Sequence, residues 1–283
     1  MEVKFSVDYD QNEKGVRLKD LITGLVSDPE PCRGITSLII GDWGAAYEDT
    51  MDDAIPALIE ASPLLPNLKS LYIGDMSSEE CEVSWINQTN LGPLLAAYPQ
   101  IESFTIQGST GLSLEPLHHD KLHTLTIICG GLPKSVLNEI YNAHLPELTT
   151  LTLYLGVEDY GFDGSIEDIL PFLNQNPFPK LKYLGLTDSE IQDEIAIAAA
   201  NAPVLEQLDT LDLSNGTLSD KGAEALINSD AVKKLKHLNL NYHYMSDTMI
   251  KRWKDTGLSV DIGDQQEVDE DGEYEWRYPA LTE

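Results

Sequence analysis

The sequence predicts an α/β solenoid, with a curved parallel sheet on its concave side and helices on its convex side. Three observations carry that expectation. A short core with apolar residues at its first, fourth and sixth positions recurs along the chain; Leu208-Asp209-Thr210-Leu211-Asp212-Leu213-Ser214-Asn215 is its clearest copy. Pro66, Pro99, Pro146 and Pro179 each lie two residues before the first apolar position of a copy, in phase with it. Between the cores run segments whose apolar residues recur at helical spacing.

Taken in order, Met1 to Asp8 alternates with Val3, Phe5 and Val7 on one face, which reads as a short strand. Leu18, Leu21, Ile22 and Leu25 then share one helical face, stopped by Pro29 and Pro31, so residues 1–34 form an N-terminal cap. The repeats occupy residues 35–262. Their cores are Ile35-Leu38-Ile40, Leu68-Leu71-Ile73, Ile101-Phe104-Ile106, Leu122-Leu125-Ile127, Leu148-Leu151-Leu153, Leu181-Leu184-Leu186, Leu208-Leu211-Leu213 and Leu235-Leu238-Leu240. A ninth, degenerate copy is expected over Leu258 to Ile262. Where a proline stands ahead of a strand it ends the preceding helix, and its missing N–H lies outside the strand ladder.

Helices are expected over Asp53 to Ala61, Asn90 to Ala97, Lys134 to Asn142, Ser165 to Asn174, Asp193 to Ala200, Asp220 to Asn228 and Asp247 to Lys254. Ser219 and Ser246 stand where N-caps belong. The stretch between Gly108 and Leu122 is too short for a full helix. Residues 263–283 form an acidic tail.

Composition narrows the function. Eighteen Lys and Arg against 48 Asp and Glu give a formal charge of −30. Such a field repels phosphate backbones and anionic membrane surfaces, so no nucleic-acid or membrane partner is expected. Three cysteines, Cys32, Cys81 and Cys129, make no CxxC pair and no disulfide framework. The N-terminus lacks the basic region and apolar core of a signal peptide, and no apolar run approaches a membrane span. A soluble, cytoplasmic protein is expected, for which the N-x-T matches at Asn87 and Asn215 are chance.

The eight cores, and especially Ser219-Asp220-Lys221-Gly222-Ala223-Glu224-Ala225-Leu226, resemble the leucine-rich-repeat family in its ribonuclease-inhibitor-like subclass. The resemblance implies a leucine-rich-repeat solenoid that binds other proteins. Repeat starts 33, 33, 21, 26, 33, 27 and 27 residues apart depart from that subclass, whose repeats are regular. Ile73-Gly74-Asp75 with Glu79-Glu80-Cys81-Glu82-Val83-Ser84-Trp85-Ile86 is similar to a signature of uncharacterised bacterial leucine-rich-repeat proteins, which implies a bacterial source and no particular activity.

Alternation along a strand turns the second and third core positions inward and the residues between them outward. The outward columns contain Tyr72, Thr105, Thr126, Thr152, Tyr154, Tyr183, Asp212 and Asn239, the candidate protein-binding residues of the concave face. Small hydroxyl side chains dominate, as they would on any solvated sheet, whereas the tyrosines suit contact anchors.

An acidic loop cluster, Asp42, Asp75, Glu79, Glu80 and Glu82, follows the first two repeat strands. Crowded carboxylates can bind a cation, but no EF-hand spacing is present, and the favoured reading is that the aspartates cap turns and helix N-termini while the glutamates are solvated. Cys81 and Trp85 are expected to pack on the convex side. His118, His119 and His123 lie close in sequence, but a strand separates His123 from the pair, and no metal or other cofactor is expected.

G-x-G-x-x-G, P-loop, G-x-S-x-G and H-E-x-x-H motifs are absent, so no catalytic residues are assigned. The leading reading is a non-catalytic protein-binding scaffold. The alternatives are an acidic inhibitor or immunity-type partner of a basic protein, and a metal-dependent protein or enzyme using the acidic loops. The tail is expected to fold back as a cap, pairing with the basic window Lys233, Lys234, Lys236, Lys251, Arg252 and Lys254.

Overall fold

A computed structural model describes residues 1–175, 177–271 and 274–281. The protein is an α/β leucine-rich-repeat solenoid. It divides into two units, one comprising Met1–Cys129 with Asn138–Leu148, the other Gly130–Leu137 with the chain from Thr149 onward.

In the first unit, strands β1 (Glu2–Val7), β2 (Ser37–Trp43), β3 (Ser70–Ile73), β4 (Ser103–Gln107) and β5 (Thr124–Ile128) pair in chain order, all parallel. The N-terminal strand therefore extends the same ladder as the repeats. In the second unit, β6 (Thr150–Gly156), β7 (Tyr183–Ser189), β8 (Thr210–Asp212), β9 (His237–Asn239) and β10 (Val260–Asp261) do likewise. β10 is the ninth, shortest copy. After it, β11 (Asp269–Asp271) and β12 (Tyr274–Trp276) form a separate antiparallel pair.

The repeat pattern sets the register. Leu38, Leu71, Phe104 and Leu125 are aligned partners in the first unit, as are Leu151, Leu184, Leu211 and Leu238 in the second. All eight are buried, and so are the residues two positions further on, from Ile40 to Leu240. Each buried Leu or Ile stabilises the fold by about 1.5–3 kcal/mol relative to its exposed state.

Helices fill the expected gaps: Ile55–Ala61, Gly92–Ala97, Lys134–Tyr141, Ile166–Asn174, Gln192–Ala199, Asp220–Ile227 and Asp247–Thr256. Ser219 and Ser246 are N-caps, accepting from the Lys221 and Met249 N–H groups. Residues 108–122 contain no helix and are tied down instead by isolated bridges such as Asn87 with Thr110 and Asn90 with Ser113.

Neighbouring repeats are stitched by side chains as well as by strands. Asp193 accepts from the N–H and hydroxyl of Ser219, and Asp220 accepts from the same groups of Ser246. Each helix start is thereby held by the first turn of the helix before it.

Candidate functional site

The outward columns emerge in register. Tyr72, Thr105 and Thr126 are successive partners in the first unit; Thr152, Gly185, Asp212 and Asn239 are successive partners in the second. All of these side chains are half-buried except Asp212, which is buried, and glycine at 185, which has none. The Tyr72 hydroxyl donates to Gln107 Oε1 at 2.7 Å, so its ring is held in place.

Asp212 performs a local task. Its Oδ1 accepts from the Ser214 N–H at 2.9 Å and its Oδ2 from the Tyr183 hydroxyl. Asn239 and Asp261 close the same short turn, accepting from the Asn241 and Gly263 N–H groups. A side-chain oxygen at the strand end that mimics a backbone acceptor is the ordinary use of Asn and Asp at such turns.

Beyond these turns lies a feature that the leucine pattern does not announce. Asp188, Asn215, Tyr242 and Asp264 all have positive φ, between 55° and 65°, one in each of the last four repeats. Their backbones form a row: Asp188 N–H donates to Ser214 O, Asn215 N–H to Asn241 O, and Tyr242 N–H to Gly263 O. Asn and Asp tolerate this conformation readily, whereas it is uncommon for a tyrosine such as Tyr242.

The chain's own C-terminal segment lies along that row. The Tyr278 carbonyl accepts from the Tyr242 and Tyr244 hydroxyls at 3.1 and 2.9 Å, and its N–H donates to the Tyr244 oxygen at 2.9 Å. Ala280 N–H donates to Asn215 O at 2.8 Å, and Leu281 N–H to Asp188 Oδ1 at 2.8 Å. Pro279 is buried. Three successive repeats thus hold one short segment through its main chain.

These contacts differ from those expected of the tail. Among the described residues, three of the six basic side chains of the window pair within the repeats: Arg252 with Glu224, Lys236 with Asp209, and Lys233 with Asp230.

Electrostatically the row is unusual. Asp188 is fully buried, and desolvation pushes its carboxyl up to about 7, opposed only by the N–H groups of Leu281 and Ala280. Its Oδ2 has no hydrogen-bond partner among the described residues. Burial also raises the Tyr154, Tyr183 and Tyr242 hydroxyls, with Asp212 adding to the effect at Tyr183.

The acidic loops are structurally committed. Asp42 Oδ1 accepts from the Gly44 and Ala46 N–H groups at 2.9 and 3.4 Å, while burial holds its carboxyl above the usual range. Asp75 pairs with the Lys4 ammonium at 2.8 Å, and Glu80 accepts from the Ser77 N–H and hydroxyl. Glu79 is exposed and Glu82 half-buried. Cys81 is buried, its thiol pushed up to about 11 by desolvation, with Asp42 and Glu82 adding to the shift. Trp85 is 59 % exposed, contrary to the packing expected of it, while Trp43 is buried and donates its indole N–H to Asp49 O.

The histidines part company. His119 turns inward, whereas His118 points out and meets His144, which the sequence places 26 residues away. Among the described residues one set of three side chains has ligand atoms close enough to share a metal ion, and it is His118, Asp120 and His144. No helix among the described residues is long and apolar enough to cross a membrane.

Register, buried leucine ladder and open outward columns define a repeat scaffold. A family profile described as "Leucine Rich repeat" matches residues 208–226, the copy with the clearest core. A protein from Bacteroides fragilis, known from a crystal structure, is 37 % identical over 94 % of this chain and 75 % of its own, with a TM-score of 0.86. The chain belongs to the leucine-rich-repeat family. An internalin (inlF) from Listeria monocytogenes is 16 % identical over 82 % of this chain and 73 % of its own, and a TLR13–ssRNA13 complex 14 % identical over 77 % and 38 %. Both have TM-scores of 0.33, too low to carry any argument. No curated protein matches the chain.

Proposed function

We propose that this chain is a non-catalytic scaffold that binds another protein through the outward side of its strands and the row of strand-end turns beside them. The observation that supports this most is the hold on Tyr278 to Leu281, a short segment whose main-chain groups are gripped from three repeats by the side chains of Tyr242, Tyr244 and Asp188 and by the Asn215 carbonyl. Main-chain recognition of this kind accepts an extended peptide with little regard to its side chains, leaving specificity to neighbouring pockets. Tyr72, Tyr154 and Tyr183 are the anchors on the strand face, since half-buried aromatics contribute much of the energy of an interface. The formal charge of −30 favours a basic partner, whose association weakens steeply as salt is raised. The alternation of short strands with full helices supports assigning the repeats to the ribonuclease-inhibitor-like subclass.

The test is affinity capture from native lysate with the full chain and with Tyr72, Tyr154 and Tyr183 each replaced by Ala. A specific protein should be retained by the parent chain and lost from at least one variant. Capture indifferent to all three substitutions would move binding off the strand face.

A further inference from the structure

We propose that His118, Asp120 and His144 form a binding site for a divalent transition-metal ion of the zinc class. Two short segments bring them together. His118 and His144 are bridge partners, with the His119 N–H donating to His144 O at 2.9 Å and the His144 N–H to Leu117 O at 3.1 Å. The imidazoles stack with centroids 4.5 Å apart and planes 23° from parallel. Asp120 Oδ1 lies 3.3 Å from His118 Nε2 and 3.7 Å from His144 Nε2. One ligand atom of each residue lies within 4.8 Å of those of the other two.

The two imidazole–carboxylate separations approach the edge of a metal polyhedron, and the imidazole pair lies within 4.8 Å. Ligands about 2.0–2.1 Å from a tetrahedral zinc lie about 3.3 Å from one another along each edge. One imidazole–carboxylate distance already equals that edge and the other is slightly longer. The remaining closure is a side-chain rotation, open to rings that are exposed to solvent. Two imidazoles and one carboxylate are the borderline and hard donors that zinc accepts, and three protein ligands leave a fourth position to water.

The loop bearing two of the ligands is fixed from below. Buried His119 is bonded through Nε2 to the Tyr98 carbonyl at 3.1 Å, while its Nδ1 accepts from the Lys121 N–H at 3.3 Å. Both ends of that ring are engaged, so the residues on either side of it, His118 and Asp120, project outward from a backbone that is already ordered. A cavity of about 450 Å³ adjoins the pair, lined also by Ala96, Pro99, Gln100, Pro116 and Lys121.

Purified full-length chain is titrated with ZnCl2 against a chromogenic chelator, and with CoCl2 to read the visible ligand-field bands. The expected result is one zinc per chain and a cobalt spectrum of four-coordinate intensity. His118→Ala, His144→Ala and Asp120→Asn should each weaken zinc at least about tenfold, with His123→Ala unchanged. Affinity should fall with acid, because the imidazoles must be neutral to bind. The exposed positions permit these changes without unfolding, which a thermal melt of each variant verifies; if one alanine variant fails to fold, Asp120→Asn decides. Zinc bound equally by parent and Asp120→Asn, or several ions bound weakly across the acidic surface, would overturn the proposal.

Discussion

Replacing Asp188 by Asn should change the pH dependence of stability more than stability itself. Its carboxyl is fully buried and desolvation lifts it from 3.8 to about 7. The folded chain therefore binds that proton more tightly than the unfolded chain does. Between about pH 4 and pH 7 the native state carries more protons, so stability falls as pH rises through that window. Roughly three powers of ten in proton affinity, at about 1.4 kcal/mol each, make the penalty above pH 7 about 4 kcal/mol.

D188N removes the ionisation and keeps an oxygen that can accept from the Leu281 N–H. Its NH2 would replace Oδ2, which has no partner among the described residues, and an unsatisfied buried donor costs about 1–3 kcal/mol. The net effect at pH 8 is a gain of about 1–3 kcal/mol. Near pH 4, where the native carboxyl is protonated, only the cost of the unsatisfied donor remains and the gain becomes a loss of about 1–3 kcal/mol. The quantity to measure is the difference between the two effects, about 4 kcal/mol, because contributions from all other groups cancel in it. Urea melts of parent and D188N from pH 4 to pH 8 supply it. Two stability curves that run parallel over that range would refute the account.

Two other predictions address different parts of the molecule. His119 and His243 use the same arrangement, Nε2 to a carbonyl and Nδ1 accepting from the N–H two residues on, and burial lowers both imidazoles below 6.5. The unfolded chain takes up these protons first, so stability falls as pH drops below about 6.5. This opposes the Asp188 effect; His119→Gln with His243→Gln in the D188N background should flatten the fall, and an unchanged slope between pH 5 and pH 7 would count against it. Leu151→Ala, at a fully buried ladder position, should cost about 2–5 kcal/mol. Thr152→Ala, one residue on and facing out, should stay within about 0.5 kcal/mol. Similar losses at the two in chemical melts would mean that the assigned faces are wrong.

The strands were legible because the leucine spacing and the phased prolines are both consequences of packing. A residue two positions from Pro146 has to be the buried start of a repeat, and Leu148 is. The Asp188–Asn215–Tyr242–Asp264 row was not legible, because φ is set by how a strand end turns and the apolar pattern is silent there. Asn215 and Asp188 are at least residue types that tolerate the conformation readily, whereas it is uncommon for a tyrosine such as Tyr242. Trp85 misled because size suggests burial, while its short 3₁₀ turn, Val83–Trp85, buries Val83 instead. His144 was missed for a third reason. Its partner residues are 24 and 26 positions earlier, and one repeat length brings them together only if the bridge between residues 118 and 144 is already known.

The serine caps make the second unit directional. Asp193 anchors the beginning of the helix Asp220–Ile227, and Asp220 at its head anchors the beginning of the next. Support is handed forward along the chain, from each coil to its successor. Each such link couples two adjacent helix starts, so fraying from the C-terminal end has to break the Asp220–Ser246 link before it reaches the helix Asp220–Ile227.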